Sequence, residues 1–218
     1  MQNMEQARFN MIEQQIRPCD VLEARILELL HRVRREHFVP EDKKAMAFMD
    51  MEIPLGFGVL MWQPKLEARV LQELHPGRGD KVLEVGTGSG YLTALLSALA
   101  SHVTSVEIVP ELSAMAKSHL HAYQRENVTL EIGDASAGWG AGEKYDVIVL
   151  TGSVPLLPAA FQNSLEIGGR LFAIVGEAPL MEAKLITRVA QDVYETVNIM
   201  ETCVAPLQNA ARPARFVF

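Results

Sequence analysis

Val82-Leu83-Glu84-Val85-Gly86-Thr87-Gly88-Ser89-Gly90-Tyr91 is the stretch on which the fold turns. Its first four residues are apolar around one acid and read as a buried strand. Three glycines at alternate positions follow, and an apolar run of helical spacing starts at Tyr91. Glycine admits positive φ and has no Cβ, so such a turn brings bare backbone against a ligand. The spacing is neither G-x-G-x-x-G, which seats a pyrophosphate on a helix N-terminus, nor G-x-x-x-x-G-K-[ST], whose Lys reaches phosphates. With no phosphate anchor and an acid ahead of the turn, the unit suits a ligand with a cationic end.

The neighbouring segments sharpen that expectation. His102 to Ile108 reads as a second strand ending at Glu107, where an open α/β sheet places an acid for ribose hydroxyls. Val128 to Ile132 reads as a third and delivers Gly133-Asp134, a turn suited to an adenine edge. Tyr145 to Thr151 reads as a fourth, with its C-terminal end facing the same crevice. Acids at the ends of successive strands behind a glycine turn point to S-adenosylmethionine, whose amino group and sulfonium match carboxylates. Its contacts are expected from Glu84, Gly86, Thr87, Gly88, Ser89, Gly90, Tyr91, Glu107, Ile108, Asp134, Ala135 and Thr151.

On either side of this centre the pattern is regular. Val21, Leu22, Ile26, Leu29, Leu30 and Val33 recur at helical spacing after Asp20, so a helix over 20–35 is predicted, capped by Asp20. A loop with Pro40 and Pro54 follows. Pro64 opens a second helix with Leu66, Val70, Leu71 and Leu74 on one face, stopped at Pro76-Gly77. From Lys81 strands and helices alternate. Gly168-Gly169 starts a fifth strand over 170–175, and 183–189 and 193–204 read as closing strands. The fold class is α/β, a doubly wound, mostly parallel sheet.

Composition narrows the function classes. The chain of 218 residues carries a formal charge of −7, which disfavours phosphate-driven nucleic-acid binding. The basic run Arg32 to Arg35 reads as the solvated end of a helix. Cys19 and Cys203 form neither a disulfide framework nor a metal spacing, and the six histidines show no metal or triad pattern, so no metal is expected. An N-terminus without an apolar signal core and the lack of a long apolar run make cytoplasmic residence, away from any membrane, the expectation.

The chain also resembles the protein-L-isoaspartate O-methyltransferases. The similarity rests on Met11 to Arg17, Val33 to Pro40, Ile53-Pro54-Leu55-Gly56, Gln63-Pro64, Lys81 to Tyr91, Ser105-Val106-Glu107, Gly133-Asp134, Gly138-Trp139, Gly168-Gly169-Arg170 and Val204 to Leu207. It implies a seven-stranded methyltransferase sheet with an N-terminal helical extension. One unit over 1–218 is implied, with helices and a substrate-side loop in 1–78 and the cofactor-binding core in 79–218. The implied activity is methylation of isoaspartyl carboxylates in damaged proteins, so the partner is a protein or peptide with such residues. A different small-molecule acceptor and a non-catalytic cofactor-binding scaffold are the alternatives.

Departures cluster on the acceptor side. Where the family usually reads Gly-Gln-Thr-Ile-Ser-Gln-Pro, this chain has Gly58-Val59-Leu60-Met61-Trp62-Gln63-Pro64. An indole with one N–H donor replaces a hydroxyl. Gly-Asp-Gly becomes Gly133-Asp134-Ala135, and Thr-Ala-Ala becomes Thr151-Gly152-Ser153. Trp62 and Ser153 are therefore the expected acceptor-pocket residues, with Arg17 and Gln63 as further candidates.

Overall fold

The computed structural model describes residues 2–213. Helix α1 (Gln2–Met11) runs into a wide turn and a short 3-10 turn, and α2 (Ala24–Arg32) follows. The helix predicted over 20–35 is thus shorter at both ends. Asp20 is no N-cap: it takes a left-handed conformation, φ 61°, closing the turn at Arg17–Cys19. The entry to α2 is capped from elsewhere in the chain, because Gln72 Oε1 accepts the amides of Leu22 and Glu23 at 2.8 and 3.1 Å. At the other end, Val33 turns to extended backbone and leads into a buried turn.

The region read as a loop contains a hairpin, β1 (Ile53–Gly56) and β2 (Val59–Met61), paired only with itself. Helix α3 (Pro64–Leu74) begins with its proline in the first turn, where a missing N–H is harmless. Seven strands then form one sheet: β3 (Lys81–Val85), β4 (His102–Glu107), β5 (Val128–Ile132), β6 (Tyr145–Val154), β7 (Leu165–Glu177), β8 (Leu180–Ala190) and β9 (Val193–Thr202). Helices α4 (Tyr91–Leu99), α5 (Pro110–Ala122) and the short α6 (Ala159–Asn163) connect them.

The spatial order is β5-β4-β3-β6-β7-β8-β9. The first five in that order are mutually parallel and the last two are joined antiparallel. The chain winds outward from β3 to β5, then returns to the other side of β3 with β6. The order reverses between β3 and β6, and this switch point is where an open sheet binds its ligand, beyond the C-terminal strand ends. Successive residues of the central strands face opposite sides, as the pleat requires. Val82, Val147, Val149 and Phe172 join the core beneath the N-terminal helices, while Leu83, Ile148, Leu150 and Leu171 join the core on the other face with Phe161. That two-sided burial explains the near-continuous apolar runs in these strands.

Candidate active site

The C-terminal ends of β3, β4 and β6 open on a solvent-connected cleft of about 1000 Å³. Gly86 leaves β3 with φ +97°, and its amide donates to the Val106 carbonyl at 2.8 Å. Thr151, on β6, donates its hydroxyl to the carbonyls of Val85 and Gly86 at 2.8 and 2.7 Å. A Cβ at position 86 would collide with that hydroxyl, so both the conformation and the space demand glycine. The Gly88 amide donates to Glu107 Oε2 at 2.8 Å and the Val109 amide to Oε1 at 3.0 Å. The Glu107 carboxylate, 3% exposed, is thereby fixed at the end of β4 with lone pairs left for ligand hydroxyls.

Asp134 is fixed in the same way from two directions. Its Oδ1 accepts the Ser136 amide and its Oδ2 the Asn209 side chain, both at 2.9 Å, and these bonds hold its carboxyl below the usual range. Val106, Ile108 and Ala135 add apolar surface to this part of the cleft. The structure thus brings Gly86, Thr87, Gly88, Ser89, Glu107, Ile108, Asp134, Ala135 and Thr151 to one surface. A bare glycine cradle, one buried acid and one exposed acid, and an apolar patch between them fit an adenosyl ligand with a cationic tail.

Glu84, Gly90 and Tyr91 lie behind that surface. Glu84 is fully buried, and its Oε2 accepts hydroxyl bonds from Thr93 and Ser105, each at 2.5 Å. Burial pushes its carboxyl up to about 8, so at neutral pH it holds a proton and presents no charge to a cation. Its work is structural: Thr87 shares a 2.6 Å hydroxyl bond with Ser105, and the chain Thr87, Ser105, Glu84, Thr93 ties the turn to β4 and α4. Gly90, at φ +80°, lets α4 approach α5, since a Cβ there would lie 3.0 Å from that of Ala116. Tyr91 is buried under Arg35, whose guanidinium carbon sits 5.2 Å from its ring centre.

The opposite side of the cleft is built by β1, β2, the residue after them and the C-terminal segment. Trp62 lines the cleft and also packs edge-on against Phe172, with ring centres 6.5 Å apart. Ser153 does not reach the cleft. Completely buried, it accepts the Leu207 amide at 2.9 Å on its carbonyl, while its amide donates to Ala205 at 3.0 Å and its hydroxyl to Val204 at 3.3 Å. Ser153 therefore anchors the segment that carries Leu207 over the glycine turn. Exposed Arg17 pairs with Glu13, and neither it nor Gln63 lines the cleft.

Arg35 is the residue that the pattern of basic side chains misrepresented. Far from being solvated, it is completely buried, where it pairs with Glu67 and donates to the carbonyls of Ala47 at 3.0 Å and Trp62 at 2.5 Å. A second buried pair, Arg8 with Glu36, lies beside it. Exposed Arg34 stands between the same apolar residues, Val33 and Phe38-Val39, so the sequence carries no signal that singles out Arg35. His119 is also more than a helix-end residue, since its Nδ1 bonds the Ser89 carbonyl at 2.8 Å. Among the described residues no group of three potential ligands is placed to hold a metal ion.

Comparison with known proteins bears directly on this cleft. The family model described as protein-L-isoaspartate(D-aspartate) O-methyltransferase matches residues 6–211. The chain belongs to this family. A relative from Protochlamydia amoebophila, a protein-L-isoaspartate O-methyltransferase, is 38% identical over 200 residues, covering 90% of this chain and 94% of its own. Among solved structures, a protein-L-isoaspartate O-methyltransferase superposes with a TM-score of 0.78 at 22% identity, over 93% of this chain and 65% of that longer one. A Plasmodium falciparum protein described as a family member in complex with S-adenosyl-L-homocysteine gives 0.75 at 18% identity, over 91% and 97%. The methyltransferase fold is shown, and the protein is an S-adenosylmethionine-dependent methyltransferase of this family.

Proposed function

We propose that the protein methylates a carboxylate presented by a protein or peptide, with the isoaspartyl residue of damaged proteins as the acceptor. The observation that carries this reading is the chemistry of the cleft wall: no Lys, Arg, His, Cys or Tyr side chain lines it among the described residues. An amine or hydroxyl acceptor has to lose a proton to become a good nucleophile, and three of the four acids lining the cleft are already engaged, Glu107 and Asp134 by amide donors and Glu67 by Arg35. A carboxylate is ionised at neutral pH and needs none.

The bound donor supplies an electrophilic methyl group on a sulfonium. A carboxylate acceptor would take that methyl group as it stands, so the chain's residues need move no proton. What the chain contributes is placement. The glycine turn, Glu107 and Asp134 hold the donor, the wall from Val59 to Trp62 bounds the acceptor, and alignment of the reacting atoms supplies the rate. No helix among the described residues is long and apolar enough to cross a membrane. A cytoplasmic enzyme acting on proteins, without nucleic-acid partners, agrees with the acidic charge of −7.

The test is transfer of a labelled methyl group from S-adenosylmethionine to an isoaspartyl peptide, with an aspartyl peptide as control. A base-labile ester on the first peptide alone is expected. Donor binding without an ester above blank on any peptide carboxylate overturns the reading.

A further inference from the structure

The acceptor half of the cleft differs in character from the donor half. Its wall is formed by Leu55, Val59, Leu60, Met61, Trp62 and Leu207, all apolar. Val59 and Leu60 are only half-buried, so part of their apolar surface still faces water, and Phe57 at the hairpin tip is 58% exposed. The wall is continuous with the glycine turn. Leu55 Cδ1 lies 3.3 Å from where a Cβ on Gly88 would stand, and Leu207 Cδ2 lies 3.9 Å from that point on Gly86. The apolar wall therefore borders the glycine turn on which the donor is read to sit, and side chains flanking a carboxylate brought there meet it.

Charge on this half disfavours polar alternatives. The ionisable lining groups here are Glu52 and Glu67. Glu67 is already paired with Arg35, and burial pushes the Glu52 carboxyl up, so neither attracts an acidic neighbour of the acceptor. We propose that the preferred acceptor is a peptide carboxylate whose immediate neighbour is a bulky hydrophobic residue. The inference rests on the carboxylate reading above and adds a class of sequence to it. Water displaced from Val59 and Leu60 by an apolar side chain supplies the preference.

Three isoaspartyl peptides differing only in the adjacent residue, Leu, Ser or Asp, provide the test. The kcat/KM for the Leu peptide should exceed that for the Ser peptide by about tenfold, mostly through KM, with the Asp peptide poorest. Leu60→Thr should shrink the Leu-to-Ser ratio by about threefold or more. Calorimetry with S-adenosylhomocysteine reports whether that variant keeps its donor half, and the wild-type peptide series stands alone if it does not. Equal rates on Leu and Ser peptides, or a preference for Asp, overturn this inference and leave the carboxyl-transfer reading in place. If no peptide is esterified, that reading falls and this one with it.

Discussion

Glu84 and Glu107 show how one residue type serves two ends within a single turn. Both are acids at strand ends, both are nearly buried, and they differ in what they meet. Glu107 accepts two backbone amides and lines the cleft, whereas Glu84 accepts two hydroxyls and does not. Replacing Glu107 with Gln should weaken S-adenosylhomocysteine binding in calorimetry by about 1.5–3 kcal/mol, the range for hydrogen bonds to a charged group. Unchanged affinity would remove Glu107 from the donor site. For Glu84 the expectation concerns stability. Its carboxyl rises from an ordinary 4.5 to about 8 on folding, so between those pH values the native state keeps a proton that the unfolded chain has released. Stability from this group is complete below about pH 4.5 and is lost as pH climbs toward 8. Glu84→Gln should flatten the fall of Tm across that window, and parallel wild-type and variant curves would contradict the buried, protonated state.

At the scale of elements, Arg35 joins three of them. The turn after α2 contributes its guanidinium, α3 contributes Glu67, and the backbone following β2 contributes the Trp62 carbonyl. Removing one partner of a buried pair strands the other charge, so Arg35→Met should lower unfolding free energy in denaturant by about 3–5 kcal/mol. Adding Glu67→Leu should restore part of that loss, because no charge then remains buried alone. Where the single variant stays folded, KM for the acceptor should rise more than KM for the donor, since the carbonyl next to the acceptor wall loses its anchor. A double variant no more stable than the single one would show that the pair is not coupled. Legibility in the sequence follows the same division. The glycine turn, its strand and its helix were readable because glycine spacing and hydrophobic period are written locally, although the turn's partners Val106, Glu107 and Thr151 lie far along the chain. Arg35 and Glu67 are 32 residues apart, and nothing in the basic run Arg32 to Arg35 announces which member turns inward.

The whole molecule consists of a sheet that collects strand ends and an N-terminal layer that closes over them. Alternation of strand and helix from Lys81 onward was enough to predict a doubly wound sheet, and the apolar runs within it were enough to place it at the centre. Donor chemistry was legible for the same local reason: Gly86, Gly88, Glu107 and Asp134 are each delivered by the strand that precedes them. Family membership extends this over residues 6–211. The amino-acid order by itself thus determined the sheet and the donor class and pointed to Glu107 and Asp134 at the cleft, though also to Glu84 behind it, because hydrophobic period and turn chemistry act over short stretches of chain. Only the folded chain decided that Glu84 is buried among hydroxyls, that Ser153 fastens the C-terminal segment, that Arg35 is buried, and that Val59 and Leu60 of the hairpin keep apolar surface open to water beside the cleft. Those outcomes depend on burial and on partners brought together by chain reversal, which no local pattern encodes.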